Sequence, residues 1–207
     1  HDVKAVEYYI RNKLSEKGIE DYLPYVHFGL TSEDVTNLAY GKTVKGAVRD
    51  ILIPLLNGLV EKLLKMAKEN KNLPMLARTH GQPATPTTVG KEFSIYAFRL
   101  SKLLADLNNI NNGLTGKLCG ASGNLNAHQI AFPSVDWIQF ASEFIKEMKL
   151  EPNLFVTQIE PRDQLADLLT TFSRLNNPTI DLATDCWYYI SMEYFSQEGK
   201  ESEVGSS

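Results

Sequence analysis

The apolar residues Val48, Ile51, Leu52, Leu55, Leu56, Leu59, Val60, Leu63 and Leu64 return every three or four positions along the chain. That is the period of an α-helix, and the stripe is broad enough to pack on more than one partner helix. Thr31-Ser32-Glu33-Asp34 has the spacing of a capping box just upstream. A single long helix is therefore expected over residues 32–70. Pro54 stands inside it and removes one backbone donor while crowding the preceding turn, so a bend is expected there.

The same periodicity recurs elsewhere. Residues 2–17 place Val3, Val6, Ile10 and Leu14 on one face, and Gly18 stops the run. A helix is expected from Pro86 or Thr87 to Asn112, with Val89, Phe93, Ala97, Leu100, Leu104, Leu107 and Ile110 inward. A glycine-rich connector (113–123) follows, then a shorter helix from about Ser134 to just before Pro152. The last helix is expected from Glu160-Pro161 to about Ser196, with a bend at Pro178. Residues 197–207 are polar and read as a mobile tail. Strand signals are nearly absent, with no alternating β-branched runs joined by hairpin turns. The expected class is all-α: an elongated bundle of long antiparallel helices, some of whose apolar stripes face other subunits.

Composition narrows the function. A net charge of −4 gives no global basic field for nucleic acid. The two cysteines, Cys119 and Cys186, form no C-x-x-C motif, which argues against a disulfide framework or a zinc site and fits a reducing cytoplasm. The apolar run at 51–60 is broken by Pro54, Asn57 and Gly58 and is too short to span a membrane. No signal peptide is recognised at the start. The chain opens on His1 without a methionine and its first residues read as mid-helix sequence, so an excised piece of a longer protein is expected, with residues 1–207 as one incomplete central helical domain.

The segment Arg78-Thr79-His80-Gly81-Gln82-Pro83-Ala84-Thr85-Pro86 is the richest in chemistry. It reads as an ordered loop stiffened by two prolines, and His80 is the side chain best matched to proton transfer near neutral pH. Of the other histidines, His27 sits among apolar neighbours and reads as a satisfied, partly buried residue. His128 lies in a polar stretch that fits a structural or a functional role equally well, and His1 beside Asp2 reads as a hydrogen-bonded pair. Thr31-Ser32 caps a helix, and free N–H groups beside hydroxyls also make an anion site. Gly116-Lys117 is followed by leucine and preceded by no strand, so it is not a nucleotide P-loop. Glu160, Arg162 and Asp163 read as solvated first-turn charges, whereas Gln158 just before them is a candidate polar contact.

Five segments in order resemble the adenylosuccinate lyase family of the fumarase/aspartase superfamily, bacterial branch. They are His1-Asp2-Val3-Lys4-Ala5-Val6-Glu7-Tyr8-Tyr9, Thr31-Ser32-Glu33-Asp34, Arg78 through Pro86 continuing to Gly90-Lys91-Glu92, Gly123-Asn124-Leu125-Asn126-Ala127-His128, and Thr157-Gln158-Ile159-Glu160-Pro161. The resemblance implies a homotetramer of helical subunits that cleaves adenylosuccinate to AMP and fumarate, and its purine-pathway carboxamide ribotide analogue likewise, with no cofactor and no metal. It implies that His80 is the general acid and that Ser206, opening a mobile signature loop, is the base. It implies substrate contacts from His1, Asp2, Thr31, Ser32, Gln158 and Ser207, each site drawing on three subunits. The loop pattern continues past Ser207 in the family, and Gly205-Ser206-Ser207 is taken as its native start. The alternatives are another fumarate-releasing lyase of the superfamily, or a helical assembly module inactive by itself.

Overall fold

The computed structural model describes residues 2–199 and 202. In chain order these form α1 (Asp2–Glu16), a 3-10 helix (Glu20–Tyr25), α2 (Ser32–Ala47), a π-helical turn (Val48–Leu52), α3 (Ile53–Glu69), β1 (Pro74–Thr79), β2 (Gln82–Thr88), α4 (Val89–Asn112), β3 (Thr115–Gly116), α5 (Asn126–Ala131), α6 (Trp137–Glu147), β4 (Glu151–Pro152) and α7 (Asp163–Ser191). The chain is mostly helical. His1, Ser206, Ser207 and most of the 197–207 tail lie outside the described residues.

The helical run over 32–70 is present, and the disturbance expected at Pro54 has a definite form. The π-helical turn Val48–Leu52 sits on its N-terminal side. There the proline ring would crowd the carbonyl of Asp50, and a wider turn relieves that contact. The run starts where expected, because the Asp34 carboxylate accepts the Thr31 backbone N–H at 2.8 Å.

Other boundaries move for local reasons. α4 begins at Val89 rather than Pro86 or Thr87, since the chain as far as Thr88 is paired with β1. α7 begins at Asp163 because Arg162 has a left-handed φ of 66°, and it stops at Ser191, two residues before Glu193 at φ 61°. α6 starts at Trp137, where Asp136 Oδ1 accepts from Gln139 N at 2.9 Å. The short α5 has no counterpart in the sequence pattern, six residues being too few to show a period.

The expected scarcity of strands needs one correction. The segment read as a loop is a β-hairpin: β1 and β2 pair antiparallel, with Pro74 opposite Thr88 and Thr79 opposite Gln82, and an irregularity between Leu76 and Arg78. The connection is the two-residue turn His80-Gly81, with φ 52° and 71°, positive at both central positions. β2 carries Pro83 and Pro86, which a two-stranded ribbon tolerates because each strand has an open edge.

The chain divides into two compact units. The first combines the segment ending at Leu52 with Asn108–Leu168. Its core holds Leu38, Leu114, Leu118, Leu125, Ala141, Ile145, Leu150 and Leu168. β3 and β4 make a short parallel bridge, Thr115 beside Glu151. Gly116 lies so near α2 that a Cβ there would stand 2.6 Å from Leu38 Cδ2. The second unit combines Ile53–Leu107 with the chain from Leu169 onward. Its core holds Val60, Leu63, Met75, Val89, Phe93, Tyr96, Ala97, Leu100, Leu104, Leu107 and Leu175.

Candidate active site

In the second unit the hairpin presents His80 exposed at its tip. The turn is braced by Arg78, whose Nη1 donates to the Gly81 carbonyl at 3.1 Å. Beside the hairpin is a cleft of about 450 Å³ whose lining includes Arg78, Gly81, Glu92, Asp185, Tyr188, Tyr189 and Tyr194. Thr87 donates to Glu92 at 2.9 Å, and Tyr194 donates to the Leu76 carbonyl at 3.2 Å, tying α4 and the α7 end of the chain to the ribbon. Tyr96 donates to Asp185. Burial, with that carboxylate beside it, pushes the Tyr96 phenol well above its ordinary range, and burial with Glu92 and Asp185 nearby does the same to Tyr189. Both phenols therefore stay protonated donors at neutral pH.

The first unit gathers a different set. The start of α2 presents the Thr31 and Ser32 side chains with the free N–H groups of a helix N-terminus. Gln158 Nε2 donates to Thr31 Oγ1 at 3.4 Å, so two residues separated by most of the unit's sequence share one corner. Ser32 also lines a hollow of about 350 Å³ with Val3, Lys4, Glu7 and His27. Asp2 lies one residue before that hollow, and its Oδ1 accepts from Val3 N at 2.9 Å. Lys4 and Glu7 pair at 2.7 Å, and the ammonium holds the Glu7 carboxyl below its usual range. His27 is half-buried, with a left-handed φ of 64°.

Thus Thr31 and Gln158 are in contact, with Ser32 adjoining and Asp2 near by in sequence to the Ser32 hollow. His80 belongs to the other unit, and His1, Ser206 and Ser207 fall outside the described residues. The corner offers uncharged hydrogen-bond donors and a helix N-terminus, which suit a carboxylate. The hairpin offers an exposed imidazole, which suits proton transfer. Among the described residues no group of three or more His, Cys, Asp or Glu side chains is placed to hold a metal, and no described helix is long and apolar enough to cross a membrane.

Sequence reasoning missed the ionic centre of the first unit. Lys117, which reads as part of a glycine-rich connector, is fully buried and pairs at 3.1 Å with Asp34, also fully buried. Its Nζ donates to the carbonyls of Gly120 at 2.9 Å and Gln158 at 2.6 Å. Glu160 is not a solvated first-turn charge either. It is buried ahead of α7 and accepts from Thr115 Oγ1 at 2.9 Å and Asn153 Nδ2 at 3.0 Å. Arg162 is exposed but bridges to Glu33 at 3.0 Å. His128, left open by the sequence, is a core residue on α5: it is buried edge-on to Phe28, 4.9 Å from the Trp137 ring centroid, and burial pushes its imidazole below the ordinary value.

A family model described as Lyase matches residues 1–207. Adenylosuccinate lyases are similar throughout this chain: 46% identical in Dictyostelium discoideum, 44% in Buchnera aphidicola and 40% in Escherichia coli. Each comparison takes in 100% of this chain but 45% of the relative, so the chain spans about half the length of the curated relatives it matches. Among solved structures, a β-carboxy-cis,cis-muconate cycloisomerase from Acinetobacter calcoaceticus superposes with a TM-score of 0.77 at 24% identity, covering 91% of this chain and 41% of that one. A fumarate lyase from Mesorhizobium gives 0.69 at 19%, covering 88% and 45%. At those identities the two structures speak to fold alone.

Proposed function

Since the chain belongs to the lyase family whose model matches it from end to end, we propose that its parent protein cleaves adenylosuccinate to AMP and fumarate. The observation that carries this reading is the whole-chain similarity to adenylosuccinate lyases, joined to a corner of carboxylate donors at Thr31, Ser32 and Gln158. The analogous elimination from the succinylated carboxamide ribotide is assigned to the same site. The partners are a small nucleotide substrate and further copies of the chain.

The chemistry follows from the groups. A base takes the proton from the carbon next to a succinyl carboxylate, the electron pair forms the new double bond, and the C–N bond breaks. The departing nitrogen takes a proton. His80 supplies that proton, an imidazole being the side chain best suited to proton transfer near neutral pH. Ser206 takes the carbon-bound proton. Negative charge builds on the carboxylate as the proton leaves, so the donors of Thr31, Ser32 and Gln158 act most strongly at that moment. Asp2 and His1 add substrate contacts, and Ser207 adds one from the signature loop. A homotetramer completes each site with segments from neighbouring subunits.

The test is product formation by the full-length protein. Stoichiometric AMP and fumarate from adenylosuccinate, without added cofactor, is the expected result. Activity confined to malate, aspartate or argininosuccinate would transfer the chain to a sister lyase, and no lyase activity at all would leave it an assembly module.

A further inference from the structure

We propose that Lys117 is a positioning residue for the Gln158 carboxamide, acting through the Gln158 backbone carbonyl. The inference rests on the reading of Gln158 as a donor to a substrate carboxylate. Lys117 and Asp34 are both 0% exposed. A buried ion pair is a poor source of stability, because removing two charges from water offsets their attraction. The role of this pair is therefore read from the groups it holds.

An ammonium has three hydrogens, and each has a partner here: Asp34 Oδ1 at 3.1 Å, the Gly120 carbonyl at 2.9 Å and the Gln158 carbonyl at 2.6 Å. The shortest of the three is to Gln158. Asp34 in turn accepts from Thr31 N at 2.8 Å, Cys119 N at 3.0 Å and Gly120 N at 3.2 Å. One buried charge pair therefore clamps the start of α2 and the connector to the segment between β4 and α7. The Gln158 side chain is itself exposed, and its hydrogen bond to Thr31 is long at 3.4 Å. The carboxamide is placed by its own backbone, and that backbone is held by Lys117.

The experiment is a double-mutant cycle in the full-length protein, with Lys117→Met, Gln158→Ala and their combination, and with Lys117→Gln as a milder change that keeps N–H donors for the Gln158 carbonyl. kcat and KM for adenylosuccinate are measured on the assembled fraction from size exclusion, with Tm beside them. Lys117→Met is expected to lower kcat/KM by about tenfold or more, the scale on which a misplaced contact group acts. Lys117→Gln is expected to lose less. In the Gln158→Ala background Lys117→Met should cost about threefold or less, because the group it positions has gone. Equal factors in the two backgrounds, or a lowered Tm with unchanged kcat/KM, would overturn the proposal while leaving Gln158 its role. An unchanged kcat/KM in Gln158→Ala alone would overturn that role and this inference together. If Lys117→Met does not assemble, Lys117→Gln replaces it in the cycle: a smaller loss in the Gln158→Ala background than in the wild type supports the proposal, and equal losses overturn it.

Discussion

His80 takes its presentation from the backbone beneath it. A two-residue turn with positive φ at both positions projects its first side chain away from the ribbon, and Gly81 fills the second position at φ 71° without a Cβ to strain. Gly81→Ala should therefore destabilise the hairpin by about 1–2 kcal/mol, the cost of a left-handed non-glycine residue. A denaturant melt that matches the wild type would show that the turn is not held in this form. His128 carries a different prediction. Burial lowers its pKa from the usual 6.5, so the unfolded chain takes up a proton that the folded chain refuses. The stability it supports is present above about pH 6.5 and lost as pH falls toward the depressed value. His128→Leu should shrink the drop in Tm between about pH 7.5 and about pH 5.5, and an unchanged drop would place the titration elsewhere. Both histidines stand out in the sequence. What cannot be read there is burial: nothing in Gly123-Asn124-Leu125-Asn126-Ala127-His128 announces that Phe28 and Trp137 close over the imidazole. Lys117 escapes notice for the same reason. Nothing in a glycine-rich connector announces that Asp34, distant in sequence, pairs with its lysine.

At the scale of elements, helix interiors are legible in the sequence and their ends are not. The Val48–Leu64 stripe and the α4 stripe are strong periods, and both helices lie where those periods put them. Ends depend on single residues: Arg162 and Glu193 in left-handed conformation bracket α7, and pairing through Thr88 delays α4. The hairpin is hidden because Pro83 and Pro86 argue against a strand, and only a ribbon with open edges admits them. The α3–α4 junction offers a test of close packing. Gly90 N donates to the Asn70 carbonyl at 3.0 Å, and a Cβ at Gly90 would lie 2.3 Å from the Ala67 carbonyl oxygen and 2.7 Å from Lys71. These are backbone atoms that cannot swing aside. Gly90→Ala should cost at least about 1–3 kcal/mol as an overpacking change. A variant as stable as the wild type in urea would show that the junction relaxes.

At the scale of the whole molecule, the described chain leaves much apolar surface uncovered. α1 has no buried residue, and Leu55, Phe98 and Trp187 are exposed at 67%, 66% and 65%. Broad stripes of this kind are what self-association covers. The full-length protein is expected to sediment as a tetramer, and Leu55→Asp should shift it toward smaller species. A tetramer unaffected by that change would remove this face from the interface. The candidate carboxylate donors sit in one compact unit and the candidate acid in the other, and the chain spans about half of its curated relatives. In the proposed reaction the hairpin imidazole protonates the departing nitrogen. Turnover of adenylosuccinate by His80→Ala, measured in the full-length protein with its assembly confirmed, decides whether it does. kcat is expected to fall by about 100-fold or more, the usual scale for losing a general acid. Near-normal turnover by the intact assembly would contradict that role.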